Sequence, residues 1–456
     1  MENAPIIKKL ISRFALDPRR AKVLVVGLGV TGLSVAKYLS RLGFNFAVVD
    51  SRDNPPSLKE FTEQMPDVPI FTGKFNEEAF QVASHLVISP GVPLTEPAIA
   101  QAVANGSVIL GDIDLFACST NAPIVAITGS NGKSTVTTML GEMAKISGKL
   151  VGVGGNLGTA ALDLLETPAD LFVLELSSFQ LERTTALNAA AATVLNISAD
   201  HLDRHKDVEE YAGAKQRIFD GNGVMVINAD DPRVNAMRRK GRRTYAYSIK
   251  EAADFTLAKI EGVECLVYGG RKLMELSELR LEGRHNAANA LAALALGIAV
   301  GLDPDSMCDA LRRFRGLPHR MQRVGKIKDV TWINDSKATN IGACIAALQG
   351  CDRKVVLLAG GDAKGADMSE LRPAVQEKVK SVVLMGRDAD LIDQALAGCV
   401  PTYRAQDMQE AVRIAASLAE PGDAVLLSPA CASLDQYKNY QERGEKFAKA
   451  VQELLA

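Results

Sequence analysis

Short, almost wholly apolar runs recur along the chain and alternate with longer stretches in which apolar residues return at helical spacing. Such runs are typical of parallel strands buried on both faces, and their alternation with helices is typical of α/β proteins. The runs predicted to be strands are KVLVVG (22–27), FAVVD (46–50), HLVIS (85–89), PIVAIT (123–128), LFVLEL (171–176), ATVLNI (192–197), GVMVIN (223–228), TWIND (331–335), KVVLLAG (354–360), SVVLMG (381–386) and DAVLLS (423–428).

Two stretches break this alternation and are interpreted as joints between domains. One is GDIDLFACSTNAP (111–123), and the other is the basic Gly-Pro stretch RRFRGLPHRMQRV (312–324). A chain of 456 residues is too long for a single core. The pattern therefore predicts three domains, at 1–111, 112–316 and 317–456, with 1–20 as an N-terminal extension.

Composition and charge narrow the class of protein. The formal net charge of -2 provides no basic field for nucleic acid. The apolar runs are too short and interrupted for a membrane span, and no signal peptide is recognised. The seven cysteines are scattered without a C-x-x-C pair, which favours a reducing compartment and hence the cytoplasm. The first 20 residues predict a short basic amphipathic helix, interpreted as an extension rather than a membrane anchor.

The stretch AITGSNGKSTVTTML (126–140) predicts a phosphate-binding turn between a strand and a helix. It lacks the first glycine of the usual phosphate-loop pattern, but it keeps the parts that bind phosphate. Gly129 and Gly132 allow the backbone to wrap an anion at a helix N-terminus. Lys133 adds a full positive charge, and Ser134 offers a hydroxyl to Mg²⁺. A switch or assembly ATPase with this loop is one possible function.

A second nucleotide motif, GLGVTG (27–32), follows a strand and precedes a predicted helix. It matches the dinucleotide fingerprint, and Asp50 ends the next strand, where a carboxylate binds a ribose hydroxyl. By pattern alone this motif predicts an NAD-dependent oxidoreductase. The same geometry also serves other nucleotide diphosphates, and the oxidoreductase leaves the turn at 129–134 without a role.

The turn TGSNGKST resembles the ATP loop of the Mur ligases and the folylpolyglutamate synthases, which join a carboxylic acid to an amino acid with ATP. Further matching segments follow in family order, and the chain from about residue 22 is identified as a member of the Mur ligase family. The matching segments are GGNLG (154–158), ELSSFQLE (175–182), NISADHLDRH (196–205), AKQRIF (214–219), GRHNAANALAA (283–293), GLPHRM (316–321), NDSKATN (334–340), LAGGDAKGADMSEL (358–371) and SPACASLDQYKNYQERGEKF (428–447). The last two of these segments are most similar to members that add D-glutamate.

The resemblance implies a monomeric enzyme of cell-wall precursor synthesis with two small-molecule partners, UDP-N-acetylmuramoyl-L-alanine and D-glutamate. A relative that adds L-lysine or diaminopimelate is the nearest alternative. The resemblance further implies a Rossmann-like UDP-binding domain, a central phosphate-loop domain with a mostly parallel sheet, and a C-terminal Rossmann-like domain for the amino acid. The residues implied for the UDP substrate are Val30, Thr31, Asp50, Ser51, Arg52, Gly91, Asn156 and His201.

Metal chemistry is implied around the turn. A strand-end carboxylate at Glu175 suits Mg²⁺, and the family pattern assigns two Mg²⁺ ions to Ser134, Glu175, His201 and a carbamylated Lys215. A lysine beside metal ions repels them unless its neutral amine takes up CO₂ and becomes an anionic carbamate. The spacing of His201 and His205 permits zinc, but without a third ligand no structural zinc is expected. His205 is interpreted as a residue at the surface or beside the site.

The remaining contacts come from several stretches of the chain. The family pattern assigns Asn286 and Asn289 to adenine, Arg320 to the γ-phosphate and Asp335 to the ribose, so ATP is expected between two domains. Lys133, His201, Lys215 and Arg320 are the predicted catalytic group. The predicted ATP-binding set is Gly129, Ser130, Asn131, Gly132, Lys133, Ser134, Thr135, Asn286, Asn289, Arg320 and Asp335, and the D-glutamate set is Thr339, Lys364, Ser433, Leu434 and Tyr440.

Overall fold

The computed structural model describes residues 3–202, 204–281 and 283–454. Three separate sheets follow one another along the chain, and they define a first region (3–111), a central region (112–316) and a third region (317–454). The sheet of the first region is parallel throughout, in the order β3-β2-β1-β4-β5. Its elements are α1 (Ala4–Phe14), β1 (Val23–Val26), α2 (Val30–Arg41), β2 (Phe46–Val49), α3 (Leu58–Gln64), β3 (Ile70–Phe71), α4 (Glu77–Val82), β4 (His85–Ile88), α5 (Pro97–Ala104) and β5 (Val108–Leu110).

The central region contains nine strands in the order β14-β13-β12-β11-β10-β9-β6-β8-β7. The strands from β7 to β12 in this order are parallel, and β12, β13 and β14 form antiparallel hairpins at one edge. The elements are α6 (Asp112–Ser119), β6 (Ile124–Thr128), α7 (Lys133–Ile146), β7 (Val151–Gly155), β8 (Leu171–Glu175), α8 (Ser178–Leu181), β9 (Ala191–Val194), α9 (Val208–Gln216), β10 (Val224–Asn228), α10 (Pro232–Ala236), β11 (Thr244–Ser248), β12 (Phe255–Ile260), β13 (Val263–Tyr268), β14 (Arg271–Glu275), α11 (Arg284–Ala299) and α12 (Pro304–Arg313), with 3-10 turns at Ala161–Glu166, Arg217–Phe219 and Leu276–Glu278.

The third region contains six strands in the order β15-β16-β20-β17-β18-β19, in which only the edge strand β15 is antiparallel to its neighbour. This arrangement confirms the predicted α/β class with mostly parallel sheets. The elements are β15 (Gln322–Ile327), β16 (Val330–Asn334), α13 (Ile341–Gln349), β17 (Val355–Gly360), a 3-10 turn (Met368–Leu371), α14 (Arg372–Lys378), β18 (Val379–Met385), α15 (Ala389–Leu396), β19 (Thr402–Arg404), α16 (Met408–Leu418), β20 (Ala424–Leu427) and α17 (Tyr440–Glu453).

Most of the stretch 111–123, which the sequence predicts as a joint between domains, forms the buried helix α6. Ile113, Leu115 and Phe116 are fully buried in a core shared by the first and central regions. The carboxylate of Asp114 accepts hydrogen bonds from the backbone of Gly111 and Thr185. The apolar residues of this joint therefore pack against both the first and the central region.

The predicted N-terminal helix is confirmed as α1, and it packs against α6. Leu10 is fully buried and Phe14 nearly so, within the same shared core. Lys9 Nζ lies 2.8 Å from Asn121 Oδ1, and the guanidinium of Arg13 donates to the Thr185 carbonyl at 2.7 Å. The basic face of α1 is thus bound to the central region. Within the described part of the chain, no helix combines the length and the apolar character that crossing a bilayer requires.

Candidate active site

The phosphate turn connects the carboxyl end of β6 to the first residue of α7. Gly129 and Gly132 have φ values of 145° and 83°, which favour glycine. A Cβ atom on Gly132 would lie 2.5 Å from Asn289 Oδ1, so the turn also depends on the close approach of α11. Lys133 Nζ donates to the carbonyls of Gly129 and Ser130 at 2.8 and 2.9 Å. The lysine therefore lies folded over the turn, where an anion would meet its charge.

The turn is held in shape from a neighbouring strand. The backbone amide of Asn131 donates to Asn196 Oδ1 at 2.8 Å, and Ser130 Oγ accepts from the Ser198 amide at 2.9 Å. Thr135 is fully buried on α7, and its hydroxyl has no hydrogen-bond partner among the described residues. Buried polar groups are rarely left unpaired unless a ligand completes them. A nucleotide phosphate beside this hydroxyl would complete it.

Glu175 lies at the end of β8 beside the turn, and its surroundings fit a divalent cation. Asn156 Nδ2 donates to its Oε1 at 2.8 Å, whereas Oε2 is buried without a hydrogen bond among the described residues. Burial acts to raise the pKa of this carboxyl, but the charges of Lys133 and Lys337 and the hydrogen bond from Asn156 hold it below its usual value. An ionised carboxylate with a free oxygen next to a buried serine hydroxyl is a donor set that Mg²⁺ accepts.

Lys215 is fully buried on α9. Its Nζ lies 3.3 Å from Thr128 Oγ1 and 4.5 Å from the centre of the Tyr211 ring. Burial, followed by the charge of Lys133, places the pKa of Lys215 well below that of a free lysine. No group of three or more His, Cys, Asp and Glu side chains capable of holding a metal occurs in the described ranges. A metal at this place therefore needs ligands of another kind, such as hydroxyl, water, phosphate or a modified lysine.

The two histidines of NISADHLDRH have different surroundings. His201 has a positive φ of 56°, and its Nε2 lies 3.8 Å from Asp200 Oδ2. Burial lowers the pKa of His201 to about 4, so its imidazole is neutral near pH 7. His205 is buried, with Nε2 3.1 Å from Ser178 Oγ and its ring stacked on Phe179. Of the two places predicted for His205, the surface is excluded by its burial; its ring lies beside the site, against the same Phe179 ring that His201 contacts.

A cavity of about 590 Å³ opens between the first region and the central region. The Rossmann-like motif forms one wall and the Asn156 turn forms another. Both carboxylate oxygens of Asp50 accept hydrogen bonds, from the Leu28 amide and from the Arg52 guanidinium. Burial acts to raise the pKa of Asp50, but these hydrogen bonds hold it below its usual value. Asp50 therefore orients Arg52. The predicted UDP-substrate residues that line the cavity are Val30, Thr31, Asp50, Ser51, Arg52, Gly91 and Asn156, and His201 is not among its lining residues.

A second cavity of about 500 Å³ lies between the central and third regions. Thr135, Asn286 and Arg320 line it, as does His285, which the sequence analysis did not select. Asn289 lies beneath the turn and donates to Asn286 Oδ1 at 3.3 Å. Of the predicted ATP-binding set, Thr135, Asn286 and Arg320 therefore line this cavity, whereas Asn289 and the turn residues 129–134 do not.

Asp335 does not line this second cavity and is buried behind it. Its Oδ1 accepts from the Met321 amide at 3.2 Å, and its Oδ2 accepts from Ser428 at 2.9 Å. Burial raises the pKa of Asp335 to about 6. Both oxygens are already in use, so the carboxylate shapes the Arg320–Met321 segment that lines the cavity.

The predicted D-glutamate residues occupy loops at one edge of the third sheet. Thr339, Lys364 and Ser433 follow β16, β17 and β20, which are adjacent parallel strands, so their loops meet at the carboxyl edge. Lys364 Nζ forms a 2.5 Å ion pair with Asp200 of the central region. This pair, with an Asn340–Asp200 hydrogen bond of 3.0 Å, connects the two regions across the site.

The other two members of this set differ in exposure. Leu434 is 71% exposed, whereas Tyr440 begins α17 and its hydroxyl lies 3.0 Å from Lys337 Nζ. Lys337 is a residue that the sequence analysis missed, although it lies in the quoted segment NDSKATN. Burial lowers the pKa of Lys337, and the charge of Glu175 opposes this. Lys337 therefore brings a positive charge from the third region to the surroundings of Glu175.

Comparison with known proteins adds independent findings. A family model described as the Mur ligase MurD-like N-terminal domain matches residues 21–111, one described as the Mur ligase middle domain matches 127–297, and one described as the glutamate ligase domain of Mur ligases matches 319–431. Together the matched ranges cover well over half of the chain.

Two curated relatives carry the name UDP-N-acetylmuramoylalanine--D-glutamate ligase. The protein from Methylococcus capsulatus is 54% identical over 444 residues, which cover 97% of this chain and 96% of the relative. The protein from Pseudomonas aeruginosa is 52% identical over 437 residues, with 94% and 98% covered.

Solved structures show the same fold at low sequence identity. A pseudomurein peptide ligase type C from Methanothermus fervidus has a TM-score of 0.63 at 18% identity and covers 95% of this chain and 100% of its own. A UDP-N-acetylmuramate-alanine ligase from Thermotoga maritima has a TM-score of 0.62 at 18% identity, with the same coverage.

Proposed function

The chain belongs to the Mur ligase family, and on that premise we propose that it joins D-glutamate to UDP-N-acetylmuramoyl-L-alanine, with ATP converted to ADP and phosphate. One structural observation carries the proposal. Glu175 lies between the first cavity and the phosphate turn, because it bonds Asn156 of the first cavity and adjoins Ser134 at the start of α7. An acid in the first cavity and a triphosphate on the turn would therefore meet near this residue.

The first chemical step is phosphoryl transfer to the acid. A terminal carboxylate oxygen of the acceptor attacks the γ-phosphorus, the bond to the β-bridging oxygen breaks, and ADP leaves. Because both reactants are anionic, positive charge must lie between them. Lys133 on α7, Lys337 from the third region and Arg320 at the second cavity supply it. Ser134 and Glu175 would hold Mg²⁺, which when bound neutralises phosphate charge.

The second step consumes the acyl phosphate. The amine of D-glutamate attacks the carbonyl carbon, loses a proton, and the tetrahedral intermediate expels phosphate to leave the amide. Lys364 supplies charge to a carboxylate of D-glutamate, and Thr339 and Ser433 supply hydroxyl donors. Leu434 and Tyr440 form the rest of that pocket. The Asp200–Lys364 and Asp200–Asn340 contacts hold the third region against the turn and exclude water, which would hydrolyse the intermediate.

We further propose that Lys215 is carbamylated. Its amine is buried and its pKa is depressed, so the neutral form that reacts with CO₂ is accessible. The carbamate would supply an anionic ligand for a second Mg²⁺, with His201 beside it.

The Lys215→Ala variant tests the carbamate. We expect activity to fall about 100-fold or more, since a charge-stabilising group is lost, and to recover in part with short carboxylic acids such as formate. In the wild-type protein, ¹³C NMR after labelling with ¹³C-bicarbonate should show a carbamate signal that is missing in the variant. Full activity of the variant without any added acid would contradict the proposal.

The ligand that each region binds and the cellular location of the enzyme are part of the same proposal. Residues 1–111 bind the UDP part of the acceptor, with 1–20 as an extension that α1 fastens to the central region. Residues 112–316 bind ATP, and residues 317–456 bind D-glutamate. The enzyme acts as a monomer in the cytoplasm.

Phosphate release with a panel of UDP-muramoyl acceptors and amino acids tests the function. Sustained release is expected only when UDP-N-acetylmuramoyl-L-alanine and D-glutamate are both present. Turnover without either substrate would favour an ATPase, and preference for L-lysine or diaminopimelate would favour another member of the family. Binding of NAD in place of UDP would favour the oxidoreductase.

A further inference from the structure

A buried arginine that the proposed reaction does not use reaches from the central region into the first region. Arg183 follows α8, and its side chain is fully buried. Its Nη1 donates to the Ser89 carbonyl at 2.8 Å and its Nη2 to the Val92 carbonyl at 3.2 Å. These two carbonyls bracket the SPGV loop (89–92), all four residues of which line the first cavity.

Burying this guanidinium is costly. Burial lowers the pKa of Arg183 to about 10, so the group stays charged near neutral pH. Its closest carboxylate oxygen, on Glu182, is 3.7 Å away, and its Nε has no hydrogen-bond partner within the described residues. A buried charge that is only partly paired destabilises a fold. Stability of the central region alone therefore does not account for an arginine at this position.

The first region leaves room for this contact. A Cβ atom on Gly111 would lie only 3.0 Å from Arg183 Cγ, so the glycine opens the path of the side chain. A second arginine supports the same loop: Arg204 donates to the Gly91 carbonyl at 3.2 Å and lies 4.6 Å from the centre of the Phe179 ring. Three carbonyls of the loop are thus held by two arginines of the central region.

The loop in turn fixes the nucleotide motif. Ser89 Oγ donates to the Gly27 carbonyl at 2.9 Å, and a Cβ atom on Gly27 would lie 3.0 Å from Val92 Cγ2. Gly27 is the first glycine of the GLGVTG turn and lines the cavity itself. A displacement of the loop would therefore alter two walls of the cavity at once.

We infer that Arg183 is a positioning residue for the UDP-linked acceptor, because its guanidinium fixes the 89–92 loop of the first region as a wall of the acceptor cavity. The identity of the ligand rests on the proposed function, whereas the loop contact does not. Loss of the guanidinium weakens binding of the acceptor and leaves the ATP site, on the other side of Glu175, unchanged.

The test compares Arg183→Met with Arg183→Lys and with a matched control, Arg217→Met. Arg217 also bonds two backbone carbonyls, those of Leu181 and Thr184, but both belong to the central region. For Arg183→Met we expect the KM of the acceptor to rise about tenfold, since two charged hydrogen bonds are lost. The kcat and the KM of ATP should change by less than about threefold.

The other variants give graded results. Lysine can reach one carbonyl but not both, so Arg183→Lys should have an intermediate KM for the acceptor. Arg217→Met should leave that KM within about twofold of the wild type. Hydrogen exchange of the 86–94 backbone should accelerate in Arg183→Met and not in Arg217→Met. If Arg183→Met does not fold, Arg204→Met replaces it, because that variant removes the hydrogen bond to the Gly91 carbonyl. An unchanged acceptor KM together with unchanged hydrogen exchange of the loop in Arg204→Met would then overturn the inference.

Two outcomes for Arg183→Met overturn the inference. One is an unchanged acceptor KM with wild-type loop exchange. The other is an equal rise in the KM of ATP and in the KM of the acceptor, with the same rises in Arg217→Met. That result would indicate a general structural role for Arg183. If the wild-type protein does not use the UDP acceptor at all, the proposed function fails, and the exchange comparison still decides whether Arg183 holds the loop.

Discussion

At the scale of single residues, buried charges that act in pairs dominate the site. Glu175 faces Lys133 and Lys337, and Asp200 pairs with Lys364 across the boundary between the central and third regions. The charge of Lys364 contributes to holding the pKa of Asp200 at about 2, although burial acts to raise it. Charges of opposite sign in a buried place are strongly coupled. The site therefore contains ion pairs that an incoming carboxylate or phosphate must share or replace.

Lys364→Ala tests the amino-acid pocket. We expect the KM for D-glutamate to rise about tenfold or more, because a charged partner of its carboxylate is lost, while the affinity for ATP changes little. Lys354→Ala is the matched control, since this exposed lysine lies at the opposite end of β17 and its ammonium donates to the Glu377 carbonyl. An unchanged KM in Lys364→Ala would remove Lys364 from the pocket.

The raised pKa of Asp335 predicts a pH-dependent stability. The folded-state pKa of about 6 exceeds the ordinary 3.8, so the ionised carboxylate destabilises the fold above pH 6, and this cost declines as the pH falls towards 4. The free-energy cost of ionising Asp335 in the folded protein is about 3 kcal/mol at pH 7.5 and about half of that at pH 5. Asp335→Asn should therefore raise the melting temperature more at pH 7.5 than at pH 5. An equal change at both pH values would contradict the raised pKa.

Residue types and motif order selected seven of the residues that line the first cavity and three of those that line the second. The resemblance located Thr135, Asn286 and Arg320, which line the second cavity. It did not reveal the partners of Lys364 or Arg183, because each of those contacts joins residues more than 90 positions apart. Pairing over such separations depends on how the sheets pack, which a local pattern does not encode.

At the scale of elements, the apolar runs predicted the buried parallel strands well and the exposed hairpins poorly. The strands β12, β13 and β14 lie at the edge of the central sheet, and charged residues break up the apolar residues of each, at Lys259, Glu264 and Lys272. Their turns do carry a recognisable pattern, since Glu261–Gly262 and Gly269–Gly270 have positive φ values typical of tight hairpins. The helix α6 was missed because Asp112 and Asp114 make an apolar segment look like a loop.

The helix α1 offers a matched pair of substitutions. Leu10 is fully buried in the core shared by the first and central regions, whereas its neighbour Ile11 is 40% exposed. Leu10→Ala should lower the free energy of unfolding by about 2–5 kcal/mol, and Ile11→Ala by less than about 1 kcal/mol. Chemical denaturation of both variants measures the difference. Similar losses in the two variants would show that α1 is not anchored through Leu10.

At the scale of the whole molecule, the three regions contribute one part each to a single site. The first region forms a wall of the first cavity, the central region holds the phosphate turn, and the third region brings Arg320, Lys337 and Lys364 towards the turn. Domain number and class followed from the length and the strand pattern. The contacts between regions did not, because they arise from side chains that meet only in the folded molecule.

The central claim is that the phosphate turn delivers the γ-phosphorus of ATP to the carboxylate of the acceptor. An acceptor labelled with ¹⁸O in its terminal carboxylate tests this directly, with the released phosphate analysed by mass spectrometry. The account predicts that each phosphate carries one ¹⁸O atom and that ADP is the other product. Unlabelled phosphate released while the amide forms would contradict it.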